Sequence, residues 1–171
     1  AIVPQNLETV VQAQAMSAGV GASIVKSAQA PIKKPACSPN MPSFSWADLK
    51  KVSLVQDQGA CGSCWAFAAI AALESSHLIE NGIDADPRPP GAEASEQQAL
   101  DCAWKAYTCA GGWHDKVFDY FVNAGQSKRP VYRKYDGKKR ACGEVPARPY
   151  TALTWGFVEG APDYEGVAKQ V

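Results

Sequence analysis

The run QGACGSCWAF, Gln58 to Phe67, holds the reading on which the fold turns. Two cysteines, Cys61 and Cys64, stand three apart between glycines, and an aromatic-rich helical segment follows at once. Such a pair serves as a redox couple, as half of a zinc site, or as a nucleophile beside a structural half-cystine. A redox couple at a helix N-terminus belongs in a strand–turn–helix of a βαβ chain. Here glycine-broken loop precedes the pair and the remainder reads as mostly helical, so the couple finds little support. Zinc takes four closely held ligands, usually as two close pairs. Cys61, Cys64, Cys102 and Cys109 have a wide second spacing, and neither His77 nor His114 completes a zinc pattern. No metal and no cofactor is expected.

The third option suits the flanks. From Ser63 the run SCWAFAAIAALESSHLIENG carries Ala, Leu, Ile and Glu throughout, lacks Pro, and ends in Asn81-Gly82, which suits a left-handed cap. Ser63 is the expected N-cap, which puts Cys64 in the first turn. A thiol attacks as thiolate, and a helix N-terminus favours that charge through its unpaired N–H groups and dipole. The glycines before Cys64 let a substrate backbone come close. Gln58 offers a side-chain amide that can join the Cys64 backbone N–H as an oxyanion hole. One such donor is typically worth ~3 kcal/mol of transition-state stabilisation. Ala66 to Leu73 is apolar on every side, so the first two turns are expected to be buried all round.

The rest of the chain frames this segment. Its 171 residues suffice for one domain, or one domain with a tail, and 46% apolar with 20% charged content suits a soluble globular protein. Seventeen basic residues balance seventeen acidic ones, which leaves no electrostatic footprint for nucleic acid or an anionic membrane. No apolar run approaches the ~20 residues of a membrane span. Residues 1–40, rich in Ala, Gln, Ser and Val and without aromatics, read as a leader or pro-segment-like extension. Leu7, Val10, Val11 and Gln14 suggest a weak amphipathic helix there. The opening AIVPQ, with no Met and no signal peptide, is read as a processed or recombinant start.

The folded part is expected over 41–171. MPSFSWADLKKVSLVQDQG reads as turns and extended chain, and DADPRPPGAEA as a surface loop. SEQQALDCAW reads as a short helix whose Ser95 and Gln98 are spaced like a capping box. TCAGGWH is a glycine turn. DKVFDYFVNAGQ is an amphipathic helix with Val117, Phe118, Phe121 and Val122 apolar. YRKYDGKKRACGE reads as a solvated loop, TALTWGFVEG as a strand, and APDYEGVAKQV as the start of a last helix.

Four blocks, VQDQGACGSCWAF, SEQQALDC, CAGGW and YRKYDGKKRAC, together resemble the papain and cathepsin cysteine peptidases, in that family's order and near its spacing, over about residues 42–171. The resemblance implies an α+β fold: the mainly helical left lobe of a two-lobed papain-like enzyme, with the β-rich second lobe largely absent. It implies Cys64 as nucleophile and Gln58 as oxyanion-hole glutamine, with Gly62 and Ser63 beside the substrate. Gly111 and Gly112 match the strip that pairs with an extended peptide, and Trp113 an aromatic wall of the specificity subsite, with a purely core role for Trp113 as the lesser alternative. The resemblance pairs Cys61 with Cys109 and Cys102 with Cys142. Each bridge closes a loop of roughly forty to fifty residues, worth roughly 4 kcal/mol in the chain-entropy model. Cys37 has no counterpart; it bonds another chain, caps Cys64 or stays free.

Such a peptidase needs an imidazole base and an orienting Asn. His77 falls roughly 20 Å along the helix from Cys64, and His114 follows the substrate-binding glycines, so both read as surface or packing residues. The family's His and Asn lie ~130–150 residues beyond the nucleophile, past Val171. The base is therefore expected from a second polypeptide or from a segment beyond these residues, with a peptide or protein as substrate. A pseudo-peptidase acting as a peptide-binding module is the alternative. An even six cysteines point to an oxidising compartment: secreted, periplasmic, or lysosomal or vacuolar.

Overall fold

A computed structural model describes residue 38 and residues 40–85, 93–145 and 147–156. The leader, Cys37, most of the proline-rich loop and the C-terminal helix expected from APDYEGVAKQV lie outside the described residues. Within them stand three helices, α1 Cys64–Glu80, α2 Glu96–Cys102 and α3 His114–Asn123. The described residues hold no named strand, only isolated antiparallel bridges at Ala94–Lys128, Thr108–Gly111 and Gln126–Tyr150.

Helix α1 is the axis of the fold, and both α2 and α3 pack against it. It runs without Pro or Gly and stops where the sequence supplies a residue tolerant of left-handed backbone. Gly82 takes φ +63°. Its N–H donates to Ile79 O, and the Ile83 N–H reaches back to Leu78 O, the paired bonds of a Schellman end. The core is built from Trp65, Ala66, Ala69, Ile70 and Leu73 of α1, Ala99 and Leu100 of α2, and Val117 and Phe121 of α3. Side chains of the size of Ile70 and Phe121, both fully buried, each contribute about 1.5–3 kcal/mol.

The expectation of burial all round α1 does not hold. Ala68 and Ala71 are exposed, and Phe67 and Ala72 are half-buried. At 3.6 residues per turn Cys64, Ala68 and Ala71 share one face. Helices α2 and α3 take the opposite side, so apolar composition alone overstated the cover.

Helix α2 is short, polar and yet buried, which requires that its side chains be satisfied inside. The Ser95 hydroxyl accepts the Gln98 N–H at 3.1 Å, as a cap should. The return half of the expected box is missing. Gln98 donates instead to the Tyr120 hydroxyl and Gly125 carbonyl, and accepts the Ser127 N–H. Gln97 donates to Asp101 and to the Lys138 carbonyl while accepting the Asp136 N–H.

Those last bonds correct another expectation. The stretch 132–144 is irregular, but it is pinned rather than merely solvated. Tyr132 donates to Asp101, Gly143 donates to Tyr132, and Arg140 pairs with Asp136. Its many charges suggested water, while its backbone and tyrosines bind buried partners. The strand expected from TALTWGFVEG also fails over its described part, residues 151–156. Pairing stops at Tyr150, which exchanges both backbone bonds with Gln126. Strand-like composition needs a strand beside it, and among the described residues the bridge of this region is Gln126–Tyr150, just ahead of the segment, after which Ala152 donates to Phe121 O at the end of α3.

Candidate active site

Cys64 is the first residue of α1, is exposed, and is the free cysteine among the described residues. In the first turn the Ala66 and Phe67 N–H groups donate to Ser63 O, which leaves those of Cys64 and Trp65 without an intrahelical acceptor, so this end of the helix favours negative charge. Ser63 occupies the N-cap position without capping. Its hydroxyl lies 2.7 Å from the Tyr135 hydroxyl instead, a partner that the sequence reading missed. The polar, turn-rich company of Tyr135 gave no sign of it.

The loop ahead of Cys64 is held by its own polar groups. Gly59 takes φ +60°, and its N–H donates to Asp57 Oδ1. The Gln58 side-chain amide donates one hydrogen to the Cys61 carbonyl at 2.8 Å, and an amide carries two. The Tyr135 hydroxyl donates to the Gln58 carbonyl at 2.8 Å. A shallow depression of about 470 Å³ adjoins this loop, lined in part by Gln58, Cys61, Cys109, Tyr135 and Asp136.

The turn 107–109 that leads into the glycine strip is tied to that loop and to the start of α1 in four ways. Cys61 is bonded to Cys109, with Cα atoms 4.6 Å apart. The Gly62 N–H donates to Cys109 O at 2.9 Å. Trp65 Nε1 donates to Thr108 O, and its ring meets Tyr107 edge-on at 5.4 Å. Two of the glycines are required by this closeness. A Cβ on Gly62 would lie 2.5 Å from Cys109 O, and one on Gly112 within 3 Å of Tyr107 and Trp65. Gly111 instead adopts φ +134° in a turn against Thr108. Trp113 is 69% exposed, which overturns the core reading of that side chain.

The second bridge, Cys102–Cys142, fastens the end of α2 to the 132–144 stretch. With Cys61, Cys102 and Cys109 all in disulfides, neither a Cys61–Cys64 couple nor a four-cysteine zinc site exists here. The histidines serve packing. His77 lies in the last turn of α1, edge-on to Tyr150, and burial first, then Lys128, holds its imidazole below its usual range. His114 opens α3 with its ring against Phe118.

Residues 41–165 match the family described as "Papain family cysteine protease". Stem bromelain of Ananas comosus is 43% identical over 116 residues, which is 67% of this chain and 50% of that protein. Papain of Carica papaya is 34% identical over 128 residues, 74% of this chain and 35% of that protein. Among solved structures, the bromelain protease from Ananas comosus in complex with the E64 inhibitor aligns with a TM-score of 0.52 at 40% identity, covering 64% of this chain and 46% of that one. The chain thus spans half, or less, of the length of these relatives.

Proposed function

The chain belongs to the papain family of cysteine proteases, and on that premise we propose that it supplies the nucleophile-bearing part of a cysteine-type peptidase. The observation that carries this is a free, exposed Cys64 at the start of α1, while Cys61 is taken up in a bridge. In the proposed reaction the Cys64 thiolate attacks the carbonyl carbon of a peptide bond. The developing oxyanion takes hydrogen bonds from the Cys64 N–H and the second N–H of the Gln58 amide. Collapse breaks the C–N bond, the leaving amine takes its proton from an imidazolium, and water then hydrolyses the thioester. Gly111 and Gly112 offer backbone for an extended peptide, Gly62 borders it, and the exposed Trp113 provides an aromatic wall; Ser63, expected beside the substrate, is buried beneath this surface.

The imidazole and its orienting Asn come, in this proposal, from a segment or chain outside these 171 residues. The uncovered side of α1, where Cys64, Ala68 and Ala71 lie, leaves room for it. The two disulfides suit an oxidising compartment, secreted, periplasmic, or lysosomal or vacuolar. Among the described residues no helix is long and apolar enough to cross a membrane.

The test is covalent labelling of the full assembly with E64, the inhibitor held by the related bromelain. Intact mass should rise by one adduct, and a Cys64→Ser variant should take none. An assembly that stays unlabelled, or is labelled only at Cys37, would end the peptidase reading.

A further inference from the structure

We propose that Tyr135 is a positioning residue that fixes the oxyanion donor Gln58 relative to the nucleophile; this rests on the roles proposed above for Gln58 and Cys64. Its hydroxyl donates to the Gln58 carbonyl at 2.8 Å. A phenol has one proton, so the 2.7 Å contact to Ser63 must be a bond donated by Ser63 Oγ. One oxygen therefore joins residue 58 to residue 63, the two ends of the loop that carries the oxyanion donor and leads into Cys64. That loop contains Gly59 and Gly62, the residue type with the most backbone freedom to lose. The hydroxyl stands where this freedom must be removed.

Two further features show that the arrangement is built. Ser63 is fully buried, so its hydroxyl is turned away from any substrate. It forgoes the ordinary capping bond of an N-cap serine to reach Tyr135. Tyr135 is in turn held from several sides. Its ring meets Phe67 of α1 edge-on at 4.9 Å. The next residues are pinned by the buried Gln97, which accepts the Asp136 N–H at 3.1 Å and donates to Lys138 O at 2.8 Å. The anchor thus runs from α2 through Gln97 and Tyr135 to Gln58, over 70 residues away in sequence.

Steady-state hydrolysis of a fluorogenic peptide amide by the assembled enzyme tests this, with Cys64→Ser, Gln58→Ala, Tyr135→Phe and the double variant Gln58→Ala/Tyr135→Phe. Tyr135→Phe keeps the ring and removes only the hydroxyl. Small misplacements of a catalytic group cost up to about a hundredfold, and we expect about a tenfold fall in kcat with KM within about twofold. Because the hydroxyl acts through Gln58, adding Tyr135→Phe to Gln58→Ala should cost less than about threefold more. An unchanged kcat, or the same tenfold loss in both backgrounds, would overturn the proposal. If Tyr135→Phe does not fold, Ser63→Ala removes one of the two bonds from its other end and must itself lower kcat with KM held; an unaffected kcat overturns the proposal equally. Turnover by Cys64→Ser would sink the nucleophile reading and this one with it. A dead Cys64→Ser beside a fully active Tyr135→Phe would sink this one alone.

Discussion

His77 lies 4.9 Å from the Tyr150 ring, edge-on, and its Nδ1 is 3.2 Å from the Asn81 amide. Burial, and to a lesser degree Lys128, makes protonation unfavourable there, so the folded-state value falls below the usual 6.5. In the unfolded chain the ring takes up a proton as pH drops through 6.5, while the folded protein still excludes it. The unfolded state then binds more protons, and stability falls with pH in that window. His77→Gln removes the titration, so variant and wild type should diverge from about pH 7 down to about pH 5, with the wild type losing more. Urea unfolding at several pH values measures the divergence, and parallel curves would refute the lowered titration of this half-buried ring. The sequence placed His77 far along α1 and outside catalysis, but its contact with Tyr150 depends on a bridge near residue 126 that local pattern does not reveal. Gly62 shows the same division. Its freedom was legible as glycine in a loop, whereas its need for closeness to Cys109 O is visible only once the chain has folded.

The helices differ in how much of their design is local. For α1 both ends could be read: Cys64 starts it and Gly82 closes it, because the stop is a backbone property carried by one residue type. Its lateral burial could not be read, since eight apolar residues in a row give no periodicity from which to choose a covered face. The two serine caps part for a similar reason. Ser95 bonds within its own first turn, at short sequence separation, and was legible; Ser63 bonds to Tyr135, 72 residues on. Replacing Ser95 therefore has an effect that can be estimated. Ser95→Ala should lower unfolding free energy by about 1 kcal/mol in chemical denaturation. Because α2 also carries Gln97, the variant should loosen the 136–138 turn as well, which faster amide exchange at Asp136 would register. A stability unchanged within error would mean that buried packing, not the cap, holds the start of α2.

At the scale of the molecule, the described residues hold one long helix, two shorter ones and isolated bridges, and the irregular segments between them are held by side-chain bonds and two disulfides. The bridges Cys61–Cys109 and Cys102–Cys142 span 48 and 40 residues. Loop-closure entropy depends only weakly on that difference, so each should contribute roughly 4 kcal/mol. Their consequences for the site differ. Cys102–Cys142 joins α2 to the 132–144 stretch, which Gln97, Tyr132 and Asp101 also hold by hydrogen bonds. Cys61–Cys109 joins the loop ahead of Cys64 to the turn that leads into the glycine strip, where the Gly62–Cys109 bond and, from α1, the Trp65–Thr108 bond are the hydrogen-bonded links described. Equal stabilisation should therefore go with unequal effects on chemistry. In the assembled enzyme, Cys102→Ala/Cys142→Ala should lower unfolding free energy by roughly 4 kcal/mol and leave the rate of Cys64 labelling by E64 within about twofold. Cys61→Ala/Cys109→Ala should lose similar stability and label about tenfold or more slowly, because the strip proposed to orient the peptidyl part is no longer fastened to the loop ahead of Cys64. Denaturant unfolding and time-resolved intact mass give the two readings on each variant. Equal labelling rates would mean that the hydrogen bonds alone hold strip and loop in register, and that the Cys61 bridge acts on stability only.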